Sequence, residues 1–229
     1  MKIEPTIRNC KLYFIALICF LSVSACLLLF LGKAASFMSL NSYHSPALNV
    51  FFINYTFMGD GIFAISLIIL CFYYKRKTIG FNLLVSFLLS TAIVQLIKNF
   101  VSAPRPKVFF EAGQYLYFID GVTHGGHSSF PSGHTATAFA IATAFILLIK
   151  NKKWQIPVVL AAILVGYSRI YLAQHFLIDV IAGSIIGGLS GVLAIFIIKN
   201  FKWSASLSTE LKSGENNEAI AQAPGVQPV

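Results

Sequence analysis

The chain has 229 residues, of which 57% are hydrophobic and 11% charged, with a mean hydropathy of +0.76. Soluble domains carry about 25% charged residues, so this composition excludes a cytosolic enzyme, a disordered chain and a secreted disulfide scaffold. It points to one polytopic membrane domain. The net charge of +9 fits Lys and Arg in loops facing anionic headgroups, and no nucleic-acid partner is expected.

Six apolar stretches follow in chain order, each near the roughly 20 residues that cross a bilayer as helix, so the expected fold class is all-α with six transmembrane helices. The first, Leu12 to Gly32, is too long for a signal-peptide core and reads as a retained signal-anchor. The second, Val50 to Tyr74, carries Asn54, Tyr55, Thr56, Gly59, Asp60 and Gly61 in its first half. Only Ile62 to Tyr74 is cleanly apolar, so the polar half is expected at an interface or inside the bundle. The remaining spans are Ile79 to Ile97, Ser132 to Ile149 (with Pro131 at its entry), Gln155 to Leu172 and His175 to Ile198. In the last, Gly183 and Gly187 form a G-x-x-x-G pair, read as packing within the chain rather than dimerisation. Residues 1–203 are the expected membrane domain; the polar stretch Ser204 to Val229 reads as a disordered cytoplasmic tail. Cys10, Cys19, Cys26 and Cys71 lack C-x-x-C spacing and read as packing or lipid-facing residues.

On this plan Lys2, Arg8, Lys11, Lys75, Arg76, Lys77, Lys150, Lys152, Lys153, Lys199, Lys202 and Lys212 fall on one side. Only Lys33, Lys98, Arg105, Lys107 and Arg169 fall on the other. The positive-inside rule then puts both termini in the cytoplasm and the long Asn99 to Pro131 loop outside, in a bacterium facing the periplasm or exterior.

Three clusters meet at that outer face. Lys98 is followed six residues later by Arg105-Pro106; next comes Pro131-Ser132-Gly133-His134; then Ser168-Arg169, five residues, His175, three residues and Asp179. Three long cations and a helix N-terminus whose Ser132 and Gly133 admit close approach make a phosphate-binding constellation. His175 and Asp179, four apart on one helix face, suit a histidine nucleophile oriented by a carboxylate, and His134 suits a general acid. The cations then stabilise charge on the phosphoryl oxygens. Singly, each has a bland reading: a snorkelling lysine, a headgroup contact, a helix cap. Their joint spacing does not.

K-x(6)-R-P, P-S-G-H and S-R-x(5)-H-x(3)-D resemble the three-part signature of the type 2 phosphatidic acid phosphatase family, which is shared with vanadium haloperoxidases and bacterial acid phosphatases. The resemblance implies a metal-independent hydrolase with a phosphohistidine intermediate and no cofactor. By position His175 resembles the nucleophile, Asp179 its partner and His134 the acid; Lys98, Arg105, Ser132, Gly133 and Arg169 resemble phosphate ligands. The implied substrate is a membrane lipid phosphate: undecaprenyl diphosphate, phosphatidylglycerol phosphate, phosphatidic acid or a lipid A phosphate. A haloperoxidase binding vanadate, or a transporter with a broken span, are the alternatives.

Three further groups are less defined. His124 and His127 are spaced for zinc but lack further ligands and read as substrate-facing loop residues. Asp60 is a charge at membrane depth, expected to pair with Lys98 or an active-site arginine, or to sit in an interfacial turn. Tyr115, Tyr117 and Phe118 read as an interfacial aromatic patch. The topology has a direct test: a cysteine at Gly113 reacts with a membrane-impermeant maleimide in intact cells and one at Lys152 does not. The reverse pattern places the site in the cytoplasm.

Overall fold

The computed structural model describes residues 9–110, 114–115, 117–149 and 151–221, and these contain helices and loops but no strand. Helix α1 (Lys11–Leu40) bends at Gly32, whose φ of 76° is left-handed backbone open to glycine. The expected first span ends at this break. The helix presents apolar side chains outward, Phe30 being 88% exposed. Such a surface fits hydrocarbon and not water.

The second expected span is broken in the polar half. Helix α2 (Pro46–Tyr55) opens with Pro46, capped by the Ser45 hydroxyl, which accepts from the Leu48 N–H at 3.3 Å. A 3₁₀ turn (Thr56–Gly59) follows, then Asp60 in extended conformation, then helix α3 (Gly61–Tyr73). The two halves meet at 55°. At 13 residues α3 is about 20 Å long, short of a bilayer's hydrocarbon core.

Helix α4 (Lys77–Phe100) leads to the one-turn α5 (Pro106–Phe109). After the loop come α6 (Gly133–Leu148), a 3₁₀ turn (Lys152–Trp154), α7 (Gln155–Tyr171) and α8 (Leu177–Ala221). The chain is thus an all-helical integral membrane protein, but the six expected spans are not all of one kind. Among the described residues four helices are long and apolar enough to cross a membrane, and the bent pair makes a fifth. The expected span from Ser132 to Ile149 is instead a 16-residue helix buried along nearly its whole length. Enclosed by other helices, it need not match the bilayer by itself. Helix α8 also runs on through residues 204–221, where a polar tail was expected; Glu210, Leu211, Lys212, Glu215 and Ala219 there are helix formers. Residues 222–229 of that tail lie outside the described residues.

Helix α6 is the bundle's axis. On one side Phe139 and Ala142 pack with Tyr13 and Leu17 of α1; on the other Ile141 and Ala144 pack with Ala64, Ile68 and Leu83. Lipid tails are as apolar as these side chains, so helix association rests on close contact more than on exclusion of water. Glycines supply it. A Cβ on Gly183 would lie 2.6 Å from the Ser132 carbonyl oxygen, one on Gly187 2.3 Å from that of Ala136, and one on Gly191 2.6 Å from the Thr143 Cβ. The G-x-x-x-G pair and the next glycine along are therefore spent on α6. Polar ties fix the far end: the Tyr13 and Thr143 hydroxyls share a 2.7 Å hydrogen bond, and Gln155 accepts from the Tyr13 N–H at 3.2 Å.

Tyr115 departs from the expected interfacial patch. It is 7% exposed, packs in a cluster with Phe37 and Phe176 and donates its hydroxyl to Asn41 Oδ1. Tyr117 stacks on His44, with ring centroids 4.9 Å apart. The glycine contacts carry a sharp expectation. Gly187→Val forces α8 off α6 and removes most monodisperse protein from a detergent extract, because overpacking by even a few methyl groups costs about 1–3 kcal/mol. Gly188→Ala is tolerated, its nearest neighbour being the Leu17 side chain at 3.5 Å. Equal yields of the two variants on size-exclusion chromatography contradict this packing.

Candidate active site

All three sequence clusters meet at one end of the bundle, and the local structure explains how. Helix α7 ends at Tyr171 and the chain turns through Ala173, whose φ of 50° is rare for a residue with a Cβ. The Arg169 carbonyl accepts from both the Gln174 N–H (2.9 Å) and the His175 N–H (3.2 Å). This turn brings the five-residue-separated arginine and histidine together.

His175 is 2% exposed, and its Nδ1 lies 3.3 Å from Asp179 Oδ2. The same oxygen accepts from the Ser129 hydroxyl at 2.5 Å and from the Phe176 N–H at 2.9 Å. With donors converging on it, Asp179 is fixed as a carboxylate acceptor. The tautomer this selects places the hydrogen on Nδ1 and leaves Nε2 with its lone pair. Ser132 caps α6: its hydroxyl accepts from the Thr135 N–H at 3.4 Å, and its own N–H donates to the Asp179 carbonyl at 3.0 Å. The helix N-terminus is therefore anchored to the turn that carries the dyad. A Cβ on Gly133 would meet nothing nearer than Val94 at 3.9 Å, so the backbone there is open to a ligand.

The cations surround this point. Lys98, in the last turn of α4, lines a cavity of about 240 Å³ together with Gly133, His134, Gly59 and Gly61. Arg105 is held by a loop pinned across it: its N–H donates to the Gly126 carbonyl at 2.9 Å, and the Ala103 N–H donates to that of His127 at 2.8 Å. Its guanidinium donates to Gln174 Oε1 at 2.6 Å. Arg169, 8% exposed, donates to Thr56 Oγ1 at 2.6 Å. The Nε–H groups of both arginines are buried with no partner. A buried unpaired donor on a charged group is strongly unfavourable. An anion with several oxygens between the two guanidiniums would satisfy both.

Asp60 faces His134, its Oδ2 3.6 Å from His134 Nε2, and not Lys98 as one of the two expected pairings had it. Arg169 lies within its electrostatic reach. His124 and His127 are both exposed in the pinned loop, and no cluster of three or more His, Cys, Asp or Glu side chains exists among the described residues. Sequence reasoning missed three contributors. Ser129 sits just before the P-S-G-H block and Gln174 in the unspecified x(5) stretch of the third; Thr56 lies in the polar half of the broken span, whose composition was the sole hint.

His175 lies in the turn between α7 and α8, outside the spanning segments. Burial pushes its pKa down to about 4, against the opposing pull of the Asp179 carboxylate. The neutral imidazole needed for attack is thus present through the whole neutral range. In the unfolded chain histidine titrates near 6.5. Between pH 6.5 and 4 the unfolded chain binds a proton that the folded one does not, so stability falls as pH falls through that window. For any reaction that uses Nε2 as nucleophile, the acid limb of kcat/KM, corrected for substrate ionisation, should lie nearer pH 4 than 6.5. A limb at 6.5 or above contradicts this environment for His175.

Comparisons with known proteins cover this part of the chain. The model of the PAP2 superfamily matches residues 79–203, which include every cluster above. A lipid A 4'-phosphatase of Bacteroides thetaiotaomicron is 40% identical over 82 residues, 36% of this chain and 36% of the relative. The chain spans about a third to a half of the length of this and the next similar curated relatives. The crystal structure of Aquifex aeolicus LpxE superposes with a TM-score of 0.63 at 34% identity, covering 71% of this chain and 94% of that one. That of a transmembrane PAP2 type phosphatidylglycerolphosphate phosphatase from Bacillus subtilis gives 0.62 at 25% identity, covering 81% and 96%.

Proposed function

The chain belongs to the PAP2 superfamily, and from that premise we propose that it is a metal-independent phosphatase acting on the phosphate monoester or diphosphate of a membrane lipid. The observation that carries the reading is the pair of buried, unpartnered guanidinium N–H groups of Arg105 and Arg169 beside a buried His–Asp dyad. The donors await an oxyanion, and the dyad supplies a nucleophile.

In this mechanism the Nε2 lone pair of His175 attacks phosphorus and the ester or anhydride P–O bond breaks. The leaving oxygen takes a proton from His134. Water then attacks the phosphohistidine, giving its proton back to His134; the N–P bond breaks and inorganic phosphate leaves. Asp179 stabilises the imidazole as positive charge develops on it. Lys98, Arg105, Arg169 and the Gly133 N–H hold the phosphoryl oxygens, most tightly in the transition state. Ser132 contributes by capping α6, so its hydroxyl shapes the site through the helix N-terminus.

A lipid substrate is supported by what lies under the site. An apolar cleft of about 190 Å³ between α3, α6 and α7 is lined by Met58, Phe63, Ala138 and Val165. Ala138 lies one turn below His134, and Val165 one turn before Arg169. A phosphate held at the helix ends can therefore leave its chain among apolar side chains. The relatives named for lipid A and phosphatidylglycerol phosphate act on lipids of this kind. The reading includes an orientation, with both termini in the cytoplasm of a bacterial inner membrane and the site facing outward. It rests on the unequal distribution of Lys and Arg.

The test is phosphate release by the detergent-solubilised full chain in excess EDTA. The panel is undecaprenyl diphosphate, phosphatidylglycerol phosphate, phosphatidic acid and lipid A. At least one lipid turns over, vanadate inhibits, and His175→Ala abolishes release. His134→Ala lowers the rate on monoesters by on the order of a hundred- to ten-thousand-fold, and less on a diphosphate, whose leaving group needs less protonation. No release from any lipid favours a transporter. Bromination with vanadate and peroxide favours a haloperoxidase. Loss in EDTA with recovery on added magnesium overturns the metal-free mechanism.

A further inference from the structure

The break in the second span has no role in the mechanism above, yet it is pressed against the proposed general acid. A Cβ on Gly59 would lie 2.7 Å from the His134 carbonyl oxygen and 3.0 Å from the His134 Cβ. The chain can approach this closely because residue 59 is glycine. Asp60 follows in extended conformation, and its Oδ1 accepts from the Ile62 N–H at 2.8 Å, capping α3. One carboxylate oxygen is thereby fixed to the helix, and the other, Oδ2, is directed at His134 Nε2 from 3.6 Å.

The charges around His134 come from every neighbouring element. Burial first, and then Arg169 on α7, His175 before α8, Lys98 on α4 and Arg105 on the loop, lower its pKa to about 3. Each cation disfavours a proton on the imidazole. The same cations are what a phosphate needs, so the site's two requirements conflict: the groups that hold the substrate strip its acid. A negative charge next to His134, outside the phosphate position, opposes that loss. Among the described residues the other carboxylate near the site is Asp179, which is occupied by Ser129, Phe176 and His175.

We infer that Asp60 is the positioning residue of the general acid: it orients His134 and offsets the surrounding cations, so that the imidazole carries the proton that the leaving oxygen requires. The site then has two histidine–aspartate pairs with opposite tasks. Asp179 steadies a nucleophile that must be neutral, and Asp60 a donor that must hold a proton when the leaving oxygen departs. This rests on the phosphatase reading. It also makes the 3₁₀ turn and bend of the second span a part of the reaction centre, joined to it a second time through Thr56 and Arg169.

Asp60→Asn tests it, because asparagine caps a helix about as well as aspartate while removing the charge. Wild-type turnover on the lipid panel comes first; its absence refutes the phosphatase reading and not the role of Asp60. With turnover present, Asp60→Asn is expected to lower kcat on phosphatidic acid by about ten-fold or more, within the range a general acid contributes. The loss is smaller on a lipid diphosphate. The basic limb of the kcat profile moves to lower pH by roughly one unit, the lower end of what an adjacent opposite charge produces. In a His134→Ala background the same substitution adds nothing further, and Asp60→Glu restores part of the rate. Asp60→Ser, also a capping residue without charge, serves if the asparagine variant does not fold. Equal losses on both substrates with an unmoved pH limb, or full additivity with His134→Ala, overturn the inference and leave Asp60 as a helix cap.

Discussion

The backbones of α6 and α8 touch. Gly183, Gly187 and Gly191 remove the side chains that would hold the helices apart, and the Ser132 carbonyl oxygen lies only 2.6 Å from where a Cβ of Gly183 would be. Everything at the site end follows from that approach. It lets the Ser132 N–H reach the Asp179 carbonyl, which sets the N-terminus of α6 beside the His175 dyad. In a bilayer, where apolar side chains gain little by leaving lipid for each other, such close contact is the main source of helix association. The stripe that holds the bundle together is thus the one that aligns the N-terminus of α6 with the proposed nucleophile.

A second constraint is electrostatic. Arg169 and His175 are almost fully enclosed, and Arg105 has a buried Nε–H without a partner. Concentrating cations in a poorly hydrated place is unfavourable in the empty protein. Gln174 on Arg105 and Thr56 on Arg169 offset part of it. The unpaired donors remain as a pre-formed demand for an oxyanion. Burial serves the histidine differently, keeping His175 neutral where a solvated one would begin to protonate near pH 6.5.

The two sides of the site have different neighbours. Phe176, between the two dyad residues in the chain, belongs to an aromatic cluster with Phe37 and Tyr115, with Lys33 above the Phe176 ring at 4.1 Å. The dyad itself is enclosed, His175 and Asp179 being buried. His134 faces the broken span and the 240 Å³ cavity, about a third exposed. For the proposed reaction, the enclosed side suits a nucleophile held in place, and the open side suits arrival of substrate and of the hydrolytic water.

The sequence by itself determined the membrane class, because 11% charge cannot cover a soluble globule. It also located the helix ends that carry Lys98, His134, Arg169 and His175, because those residues punctuate apolar runs of bilayer length. The spacing flagged His175 and Asp179 as a pair, but not on one helix face as expected: His175 precedes α8, which starts at Leu177, and the contact forms across the helix entry, where Asp179 also accepts from the Phe176 N–H. What it could not supply were relations between segments remote in the chain. Hydropathy marks Gly133–Leu148 as one more apolar run and carries no sign that other helices wrap it. The Ser129 bond to Asp179 spans 50 residues and the Thr56 bond to Arg169 spans 113, distances over which no local pattern survives. Asp60 could be flagged as a charge at membrane depth, but its partner was settled by a glycine that brings the bend of the second span onto His134. Local spacing is written in the chain, whereas long-range pairing is set by which surfaces fit when the helices close.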